Sequence, residues 1–199
     1  MLPIVKTIAA VALAVAASSA LAQDFASVYS SVATAKCKKV DAAKEGEGEW
    51  SVWLCPGIGG YVVRMTEDDL RLTVSIARNL KAAANEPAAK HQFPSFNNVH
   101  DTLEWRMAKG QPFATIQRWF FIEPEKIAKD GRPTAVGMLV VTRLNPACHA
   151  AYVDVAANGG ADANVLARQA ADEHARSFSC KQKPIVIGKR GRAIELAMP

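Results

Sequence analysis

The chain has 199 residues, a formal net charge of +5, 50% hydrophobic residues and 22% charged residues. This apolar content excludes a disordered chain, and only 12 glycines and 10 prolines exclude a collagen-like one. The length therefore indicates one globular domain. The charge is uneven, because residues 176–199 hold six lysines and arginines against one glutamate. The rest of the chain is close to neutral, so the net charge does not indicate a nucleic-acid-binding face.

The beginning of the chain has the three parts of a secretory signal peptide. A basic residue precedes the apolar run 8–17, and a small-x-small site ends at Ala22. The alternative, an uncleaved N-terminal anchor, would need a longer apolar run. We predict a signal peptide over residues 1–22, a single domain over 23–187 and a basic, disordered tail over 188–199. The protein is then expected in the periplasm or secreted, with no transmembrane segment after cleavage.

The four cysteines are Cys37, Cys55, Cys148 and Cys180. An even number in an exported chain predicts two disulfides. Three connectivities are possible, and we favour the local pairs Cys37–Cys55 and Cys148–Cys180, because each joins neighbouring elements. No two cysteines have the C-x(2–4)-C spacing of a zinc site or the C-x-x-C spacing of a thiol–disulfide oxidoreductase. We therefore expect neither a metal nor another cofactor.

Apolar patterns predict strands along most of the chain. The segment Leu70 to Ala77 alternates most cleanly, with Leu72, Val74 and Ile76 on one face. The other predicted strands are 36–40, 50–55, 61–66, 102–107, 113–122, 134–144 and 149–155. The irregular stretch Arg78 to Asp101 is expected to be a long loop with a helical turn near its start. Successive strands with short turns favour an antiparallel meander over βαβ units.

One helix is predicted near the C-terminus. The segment Val165 to Ser177 is rich in alanine and follows the chain break at Asn158 to Gly160. Its small side chains would allow a close approach to a sheet. Residues 185–187 are expected to form an edge strand. We therefore predict an α+β fold, in which an antiparallel sheet of about six to eight strands carries one C-terminal helix and two disulfides.

His100, Asp101 and Glu104 form the most concentrated polar cluster. An imidazole and two carboxylates can perform general acid–base catalysis. In a regular strand, however, Asp101 and Glu104 would point to opposite faces, so a hydrogen bond and a solvated charge are the simpler interpretation. The chain has no G-x-S-x-G nucleophile elbow. The sequence therefore contains no direct evidence for catalysis.

Four arginines on predicted strands are candidate binding residues: Arg71, Arg106, Arg118 and Arg143. If the strands pair in order, several of them share a sheet face with Glu104 and Asp154. That face would either be an ordinary solvated surface with cross-strand charge pairs or recognise an anionic partner. Trp53 and Trp119 lie on strands that are apolar on both faces, so one of them is a candidate exposed anchor for a partner.

Three motifs resemble a group of small exported bacterial proteins of unknown function. They are Trp53-x-Cys55-Pro-Gly-x-Gly-Gly-Tyr61 followed by Asp69-Leu-Arg71, the run Phe113-Ala-Thr-Ile-Gln-Arg-Trp119, and the alanine-rich segment that closes with Phe178-Ser-Cys180. The resemblance covers most of the chain from Cys37 to Cys180. It implies a disulfide-containing exported protein. No catalytic residues are known for the group, so the resemblance transfers no mechanism.

These observations favour an exported binding or inhibitor-like protein of the cell envelope that acts without catalysis. An envelope protein or a glycan is the expected partner, and nucleic acid is not. The alternative is a small periplasmic hydrolase that uses His100, Asp101 or Glu104. A structural envelope protein, held near the membrane by its basic tail, is a third hypothesis.

Overall fold

A computed structural model describes residues 25–198, so the predicted signal peptide over 1–22 lies outside the described residues. The strands are β1 (Phe25–Ser31), β2 (Lys38–Ala42), β3 (Trp50–Pro56), β4 (Val62–Asp68), β5 (Arg71–Ala77), β6 (Asn97–Ala108), β7 (Gln111–Ile127), β8 (Pro133–Arg143), β9 (Cys148–Asp154) and β10 (Ile185–Val186). The α-helices are α1 (Leu80–Asn85), α2 (Ala161–Ala170) and α3 (Arg192–Ala197). Helix α2 continues into a π-helical turn at Ala171–Ala175.

The strands form two sheets. Sheet A has the order β1-β6-β7-β8-β9-β10, and sheet B has the order β2-β3-β4-β5. All paired neighbours are antiparallel except β9 and β10. The α+β prediction is confirmed in its coarse form, but a single sheet with one helix is wrong. Alternation shows that a segment is a strand, whereas the division into sheets depends on pairing, for which alternation carries no signal.

The two sheets share one apolar core. Sheet A contributes large aromatic side chains, including the fully buried Trp105 and Phe121, and sheet B contributes Val63, Met65 and Ile76. These side chains lie on alternate positions of their strands, because successive residues of a strand point to opposite faces. Removing this apolar surface from water is the main force that holds the sheets together.

Helix α2 and the π-helical turn cover the other face of sheet A. Five alanines of this segment are buried against the sheet: Ala163, Ala167, Ala170, Ala171 and Ala175. They pack on short and branched side chains of β7, β8 and β9, such as Ile116, Leu139 and Val153. Alanine keeps the helix close to the sheet, as its composition predicts. Within the described chain the fold therefore has three layers, which are sheet B, sheet A and α2.

The stretch from Arg78 to Asp101 is more ordered than expected. It contains α1, a 3-10 turn at Pro87–Lys90 and the first part of β6. The side chain of Asn79 caps α1 by accepting a hydrogen bond from the Ala82 backbone N–H at 2.8 Å. Phe93 is fully buried in the shared core. This stretch therefore packs on the sheets, which leaves less of it free to engage a partner.

The prediction of a disordered tail over 188–199 is wrong for the part that the structure describes. Helix α3 lies there, and its Ala193 and Ile194 are fully buried. The buried carboxylate of Asp154 accepts hydrogen bonds from the backbone N–H groups of Ala193 and Ala157, both at 2.9 Å. A helix of this length shows too few turns for its periodicity to stand out, and its cap comes from a distant strand.

Both predicted disulfides are confirmed. Cys37–Cys55 joins the segment before β2 to β3, with Cα atoms 4.3 Å apart. Cys148–Cys180 joins the start of β9 to the segment after the π-helical turn, with Cα atoms 5.8 Å apart. Among residues 25–198, no helix has the length and hydrophobicity needed to cross a membrane.

The disulfides are expected to stabilise the fold by restricting the unfolded chain. Replacing Cys148 and Cys180 together by alanine should lower the free energy of unfolding by about 3 kcal/mol. Replacing Cys37 and Cys55 should have a slightly smaller entropic effect, because their separation is 18 residues rather than 32. Urea unfolding of the two variants measures the effect of each disulfide. Urea unfolding of the wild type with and without reductant measures their combined effect. Wild-type stability that does not change with reductant would contradict the prediction.

Candidate functional site

A pocket of about 400 Å³ opens on the side of sheet A that carries α2. The buried side chains of Ile116 and Leu139 supply its apolar wall, together with the half-buried Phe120. Its polar lining comes from β1, β6, β7 and α2 and consists of Tyr29, His100, Thr102, Glu104, Arg118, Asn164 and Arg168. Its volume lies within the range of small-molecule sites.

An irregularity in β6 shapes one rim of the pocket. Residues 100–102 of β6 stand opposite Arg118 alone on β7, so β6 bulges at this point. The buried side chain of Gln117 holds the bulge, because its Nε2 donates to the backbone oxygens of His100 at 2.7 Å and Thr102 at 3.3 Å. The bulge brings the side chains of His100 and Thr102 to the pocket.

The carboxylate of Glu104 is neutralised inside the pocket. Arg168 Nε donates to its Oε1 at 2.7 Å, and Arg168 Nη2 donates to its Oε2 at 3.1 Å. The Ser27 hydroxyl also donates to Oε1. The hydrogen bond with Glu104 raises the pKa of Arg168. Glu104 is therefore held as a paired carboxylate, which positions α2 over β6.

A second arginine–carboxylate pair lies beside the first. Arg106 is only 6% exposed, and it binds Asp172 through two hydrogen bonds, Nε to Oδ1 at 3.0 Å and Nη2 to Oδ2 at 2.6 Å. Arg106 Nη1 donates to the Ser27 hydroxyl at 2.6 Å. Ser27 thus accepts from Arg106 and donates to Glu104. This network ties β1 and β6 to the π-helical turn.

Arg118 lacks such a partner. Its side chain is half-buried, and its Nη2 donates to Asn164 Oδ1 at 3.3 Å. It forms no ion pair with any residue between 25 and 198. The charge of Arg168 offsets that of Glu104. The pocket therefore has a net positive charge, which comes from Arg118. A partly desolvated guanidinium with free N–H donors favours an anionic ligand.

His100 supplies a further donor at the rim. Its Nδ1 accepts a hydrogen bond from the Thr102 backbone N–H at 3.1 Å. A neutral ring in this arrangement carries its proton on Nε2, which can donate to a ligand. Asp101 is exposed and does not line the pocket. The predicted cluster is therefore divided, since His100 and Glu104 share the pocket and Asp101 lies outside it.

The structure groups three of the four predicted arginines. Arg106, Arg118 and Arg143 lie on the side of sheet A that carries α2, whereas Arg71 lies on β5 of sheet B. Asp154, which was expected on the same face as the arginines, points to the other side and caps α3. The order of strands along the chain does not reveal that β5 belongs to a separate sheet.

Two of these arginines are bound to backbone carbonyls. Arg143 Nη1 donates to the carbonyl of Phe178, close to the Cys148–Cys180 bond. Arg71 Nε donates to the carbonyl of Pro94 at 2.9 Å, and Arg71 also forms an ion pair with Asp69. These contacts stabilise loops. A role of Arg71, Arg106 and Arg143 in binding stays a prediction, and their contacts are those of structural residues.

The two candidate tryptophans differ in accessibility. Trp119 is 1% exposed, and its ring contacts Phe93 with 5.0 Å between centroids. It therefore lies in the core and offers no surface to a partner. Trp53 is half-buried and lines an open groove of about 860 Å³ together with Trp50. Lys39 lies over the Trp53 ring, with Nζ 5.4 Å from its centroid.

Four polar residues of the pocket are not among the residues predicted from the sequence: Tyr29, Thr102, Asn164 and Arg168. Tyr29 lies on β1, which had not been predicted as a strand. The spacing of Asn164 and Arg168 by four residues places both on one side of a helix, and this was the signal that could have found them. The helix side that carries Asn164 and Arg168 could face any of several strands, because the sequence does not indicate how α2 crosses the sheet.

Two histidines that are distant in the sequence meet in the core. His149 is buried, and its Nδ1 lies 3.0 Å from the hydroxyl of Tyr152, which lies 3.3 Å from His91 Nε2. Burial lowers the pKa of His149 well below its usual value and also lowers the pKa of His91. Burial raises the pKa of Tyr152. Both imidazoles therefore favour the neutral form in the folded protein.

Within the described residues, no group of three or more His, Cys, Asp or Glu side chains is arranged to hold a metal ion. Comparison of the chain with protein-family models, curated proteins and solved structures gives no match. The site is therefore interpreted from its own geometry and charge.

The Arg106–Asp172 pair is expected to be structural, unlike Arg118. Arg106→Met should lower the free energy of unfolding by about 3 kcal/mol, because it leaves the Asp172 carboxylate without its buried partner. Arg118→Met should change it by less than about 1 kcal/mol, because no ion pair is lost. Urea unfolding of both variants tests this contrast. Equal destabilisation by the two substitutions would contradict it.

Stability should fall as the pH is lowered through the histidine range. The unfolded chain protonates His149 near pH 6.5, whereas the folded protein resists protonation, so the unfolded state binds more protons. The contribution is complete above about pH 7 and is lost progressively below it, by up to about 1.4 kcal/mol per pH unit for each such histidine. Urea unfolding between pH 7.5 and pH 5 measures this slope.

A matched pair of variants assigns the pH dependence. His149→Gln should flatten the dependence of unfolding free energy on pH, whereas His174→Gln should preserve it. His174 is the control because its side chain is 41% exposed. An unchanged slope in His149→Gln would show that other groups cause the loss of stability.

Proposed function

We propose that this protein is an exported binding protein that acts without catalysis and takes a small anionic ligand in the pocket around Arg118. The observation that carries the proposal is the charge of the pocket. Its one carboxylate, Glu104, is paired with Arg168, while Arg118 has no ion-pair partner among residues 25–198. The predicted signal peptide and the two disulfides are compatible with an oxidising compartment outside the cytoplasm.

The walls of the pocket favour an acidic saccharide. The guanidinium of Arg118 can bind a carboxylate through two parallel hydrogen bonds. Phe120 and Tyr29 are aromatic surfaces that suit the C–H face of a sugar ring, and Thr102 and His100 are hydrogen-bonding groups for its hydroxyls. A pocket of about 400 Å³ is large enough for one sugar acid. Such units occur in the envelope glycans that the sequence suggests as partners.

A small hydrolase remains the second candidate, because His100 and Glu104 line the same pocket. Its geometry supports catalysis less well than binding. Glu104 already accepts hydrogen bonds from Arg168 and Ser27, so its oxygens are engaged. Asp101 lies outside the pocket. Hydrolase assays with a His100→Ala control test this candidate, and activity lost in that variant would favour it.

Arg118→Gln should weaken binding of glucuronate at least about tenfold, because a hydrogen-bonded charge pair contributes about 1.5–3 kcal/mol. Isothermal titration of the chain without residues 1–22, first with glucuronate and then with glucose, measures the effect. Glucose lacks the carboxylate and should bind more weakly than glucuronate to the wild type.

Arg132→Gln is the matched control, since it removes the same charge from an exposed turn. This variant should bind glucuronate like the wild type. The proposal fails if glucuronate and galacturonate do not bind, or if Arg118→Gln and Arg132→Gln bind them equally well. Circular dichroism of each variant verifies that the fold is retained.

A further inference from the structure

A second hollow, of about 250 Å³, lies on the face of sheet B that points away from the shared core. It is bounded by β4, β5 and the segment that begins with the turn Pro87–Lys90. Its polar lining consists of Arg64, Thr66, Asp68, Arg71, Thr73, Lys90 and Gln92. Unlike the pocket around Arg118, it has no large apolar wall.

The pairing of β4 and β5 arranges the lining in rows. Thr66 stands directly opposite Thr73, and Asp68 stands opposite Arg71 at the end of the hairpin. Arg64 is two positions from Thr66 on the same face, because alternate residues of a strand share a face. Directly paired residues have Cβ atoms about 5 Å apart. The guanidinium of Arg64 can therefore reach the space between the two threonine hydroxyls and the turn.

Arg64 is an uncompensated cation. Its side chain is half-buried, and burial lowers the pKa of its guanidinium. It forms neither an ion pair nor a side-chain hydrogen bond within the part of the chain that the structure describes. Lys90 is exposed and also lacks an ion-pair partner among these residues. A partly desolvated charge without a counter-charge costs free energy, which a bound anion would offset.

Two hydroxyls beside Arg64 are also unsatisfied. Thr66 Oγ1 is buried and has no hydrogen-bond partner, and the same holds for Ser75 Oγ. Ser75 is fully buried and stands directly opposite Arg64 in the sheet. Buried polar groups in folded proteins almost always have partners, so this part of sheet B is short of hydrogen-bond partners around Arg64.

The charges of the hollow favour a doubly charged group. Arg64, Arg71 and Lys90 contribute three positive charges, and Asp68 contributes one negative charge. Arg71 is already bound to Asp69 and to a backbone carbonyl, so it is not available for a ligand. Asp68 is exposed at the far end, opposite Arg71. The free cations, Arg64 and Lys90, therefore face the ligand space at the threonine end.

We propose that Arg64 and Lys90, with the hydroxyl of Thr73, form a binding site for a phosphate group. A phosphate dianion matches the two unpaired cations in charge, and its oxygens can accept from donors on several sides. The small, polar hollow leaves no room for a large apolar ligand body. This site is on the opposite sheet from the Arg118 pocket and does not depend on the function proposed for that pocket.

The test is a titration with inorganic phosphate and with glycerol 3-phosphate, followed by NMR of the backbone amides and by calorimetry at constant ionic strength. Resonances of residues 64–66, 73 and 90–92 should shift. Arg64→Gln should weaken phosphate binding at least about tenfold, and Lys90→Gln should weaken it less, because Lys90 is more exposed. Arg64→Lys keeps the charge and should retain part of the affinity.

Two controls separate this site from others. Arg132→Gln removes an exposed charge and should not change the affinity for phosphate. Arg118→Gln removes the cation of the other pocket, and the phosphate-induced shifts of residues 64–66, 73 and 90–92 should persist in it. Tighter binding of glycerol 3-phosphate than of phosphate identifies a phosphomonoester as the ligand, and the reverse identifies the free ion. Unchanged affinity in Arg64→Gln, or shifts confined to residues around Arg118, would overturn the proposal.

Discussion

The fold depends on how helix α2 lies against sheet A. The contact is made of alanine, so the helix lies close to the strands but buries little apolar surface of its own. Two ion pairs strengthen it, because Arg168 reaches Glu104 and Asp172 reaches Arg106 across the edge of the alanine contact. Each pair satisfies a charge that the sheet presents at a buried position. The charges of Glu104 and Arg106 on β6 are therefore each paired with an opposite charge on the helical segment. Removing one member of a pair leaves the other without its partner.

The pocket around Arg118 is a consequence of this packing. The alanines keep the helix close to the sheet where Ile116 and Leu139 lie, and the bulge at 100–102 interrupts the regular pairing of β6 with β7. Near this bulge the helix presents Asn164, a neutral side chain, to Arg118 rather than a carboxylate. The pocket is thus formed by the same contact between α2 and sheet A that contains the two ion pairs. Arg118 differs from Arg106 in that the helical segment offers it no carboxylate.

Much of the fold could be predicted from local pattern. The strands between 50 and 77 and between 102 and 155, the alanine-rich helix and both disulfides have direct signals in alternation, composition and cysteine spacing. The division into two sheets had no such signal, because it depends on which strands pair. Helix α3 was missed for a related reason: its N-terminal backbone is bound by Asp154 from a strand nearly 40 residues earlier.

The candidate site was partly predictable for similar reasons. His100 and Glu104 could be identified because they belong to a concentrated polar cluster, and Arg118 because it is a charged residue on a predicted strand. Their grouping could not be derived from alternation, since the bulge in β6 changes which residues share a face. Trp119 illustrates the opposite error. A strand that is apolar on both faces can lie between a core and a helix, and then neither face is exposed.

The partners of the strand arginines distinguish structural residues from candidate binding residues. Arg71, Arg106 and Arg143 each bind a carboxylate or a backbone carbonyl, and each joins segments that are distant in sequence. Arg64 and Arg118 are half-buried on strands without an ion pair, one on each sheet. An uncharged side chain would avoid the cost of burying a charge at either position. Two such arginines, each lining its own hollow, are the basis of the two proposed ligand sites, and the walls of the hollows favour different ligands. The one beside Arg118 has an apolar wall for a ligand body, whereas the one beside Arg64 has room for little more than the anionic group itself.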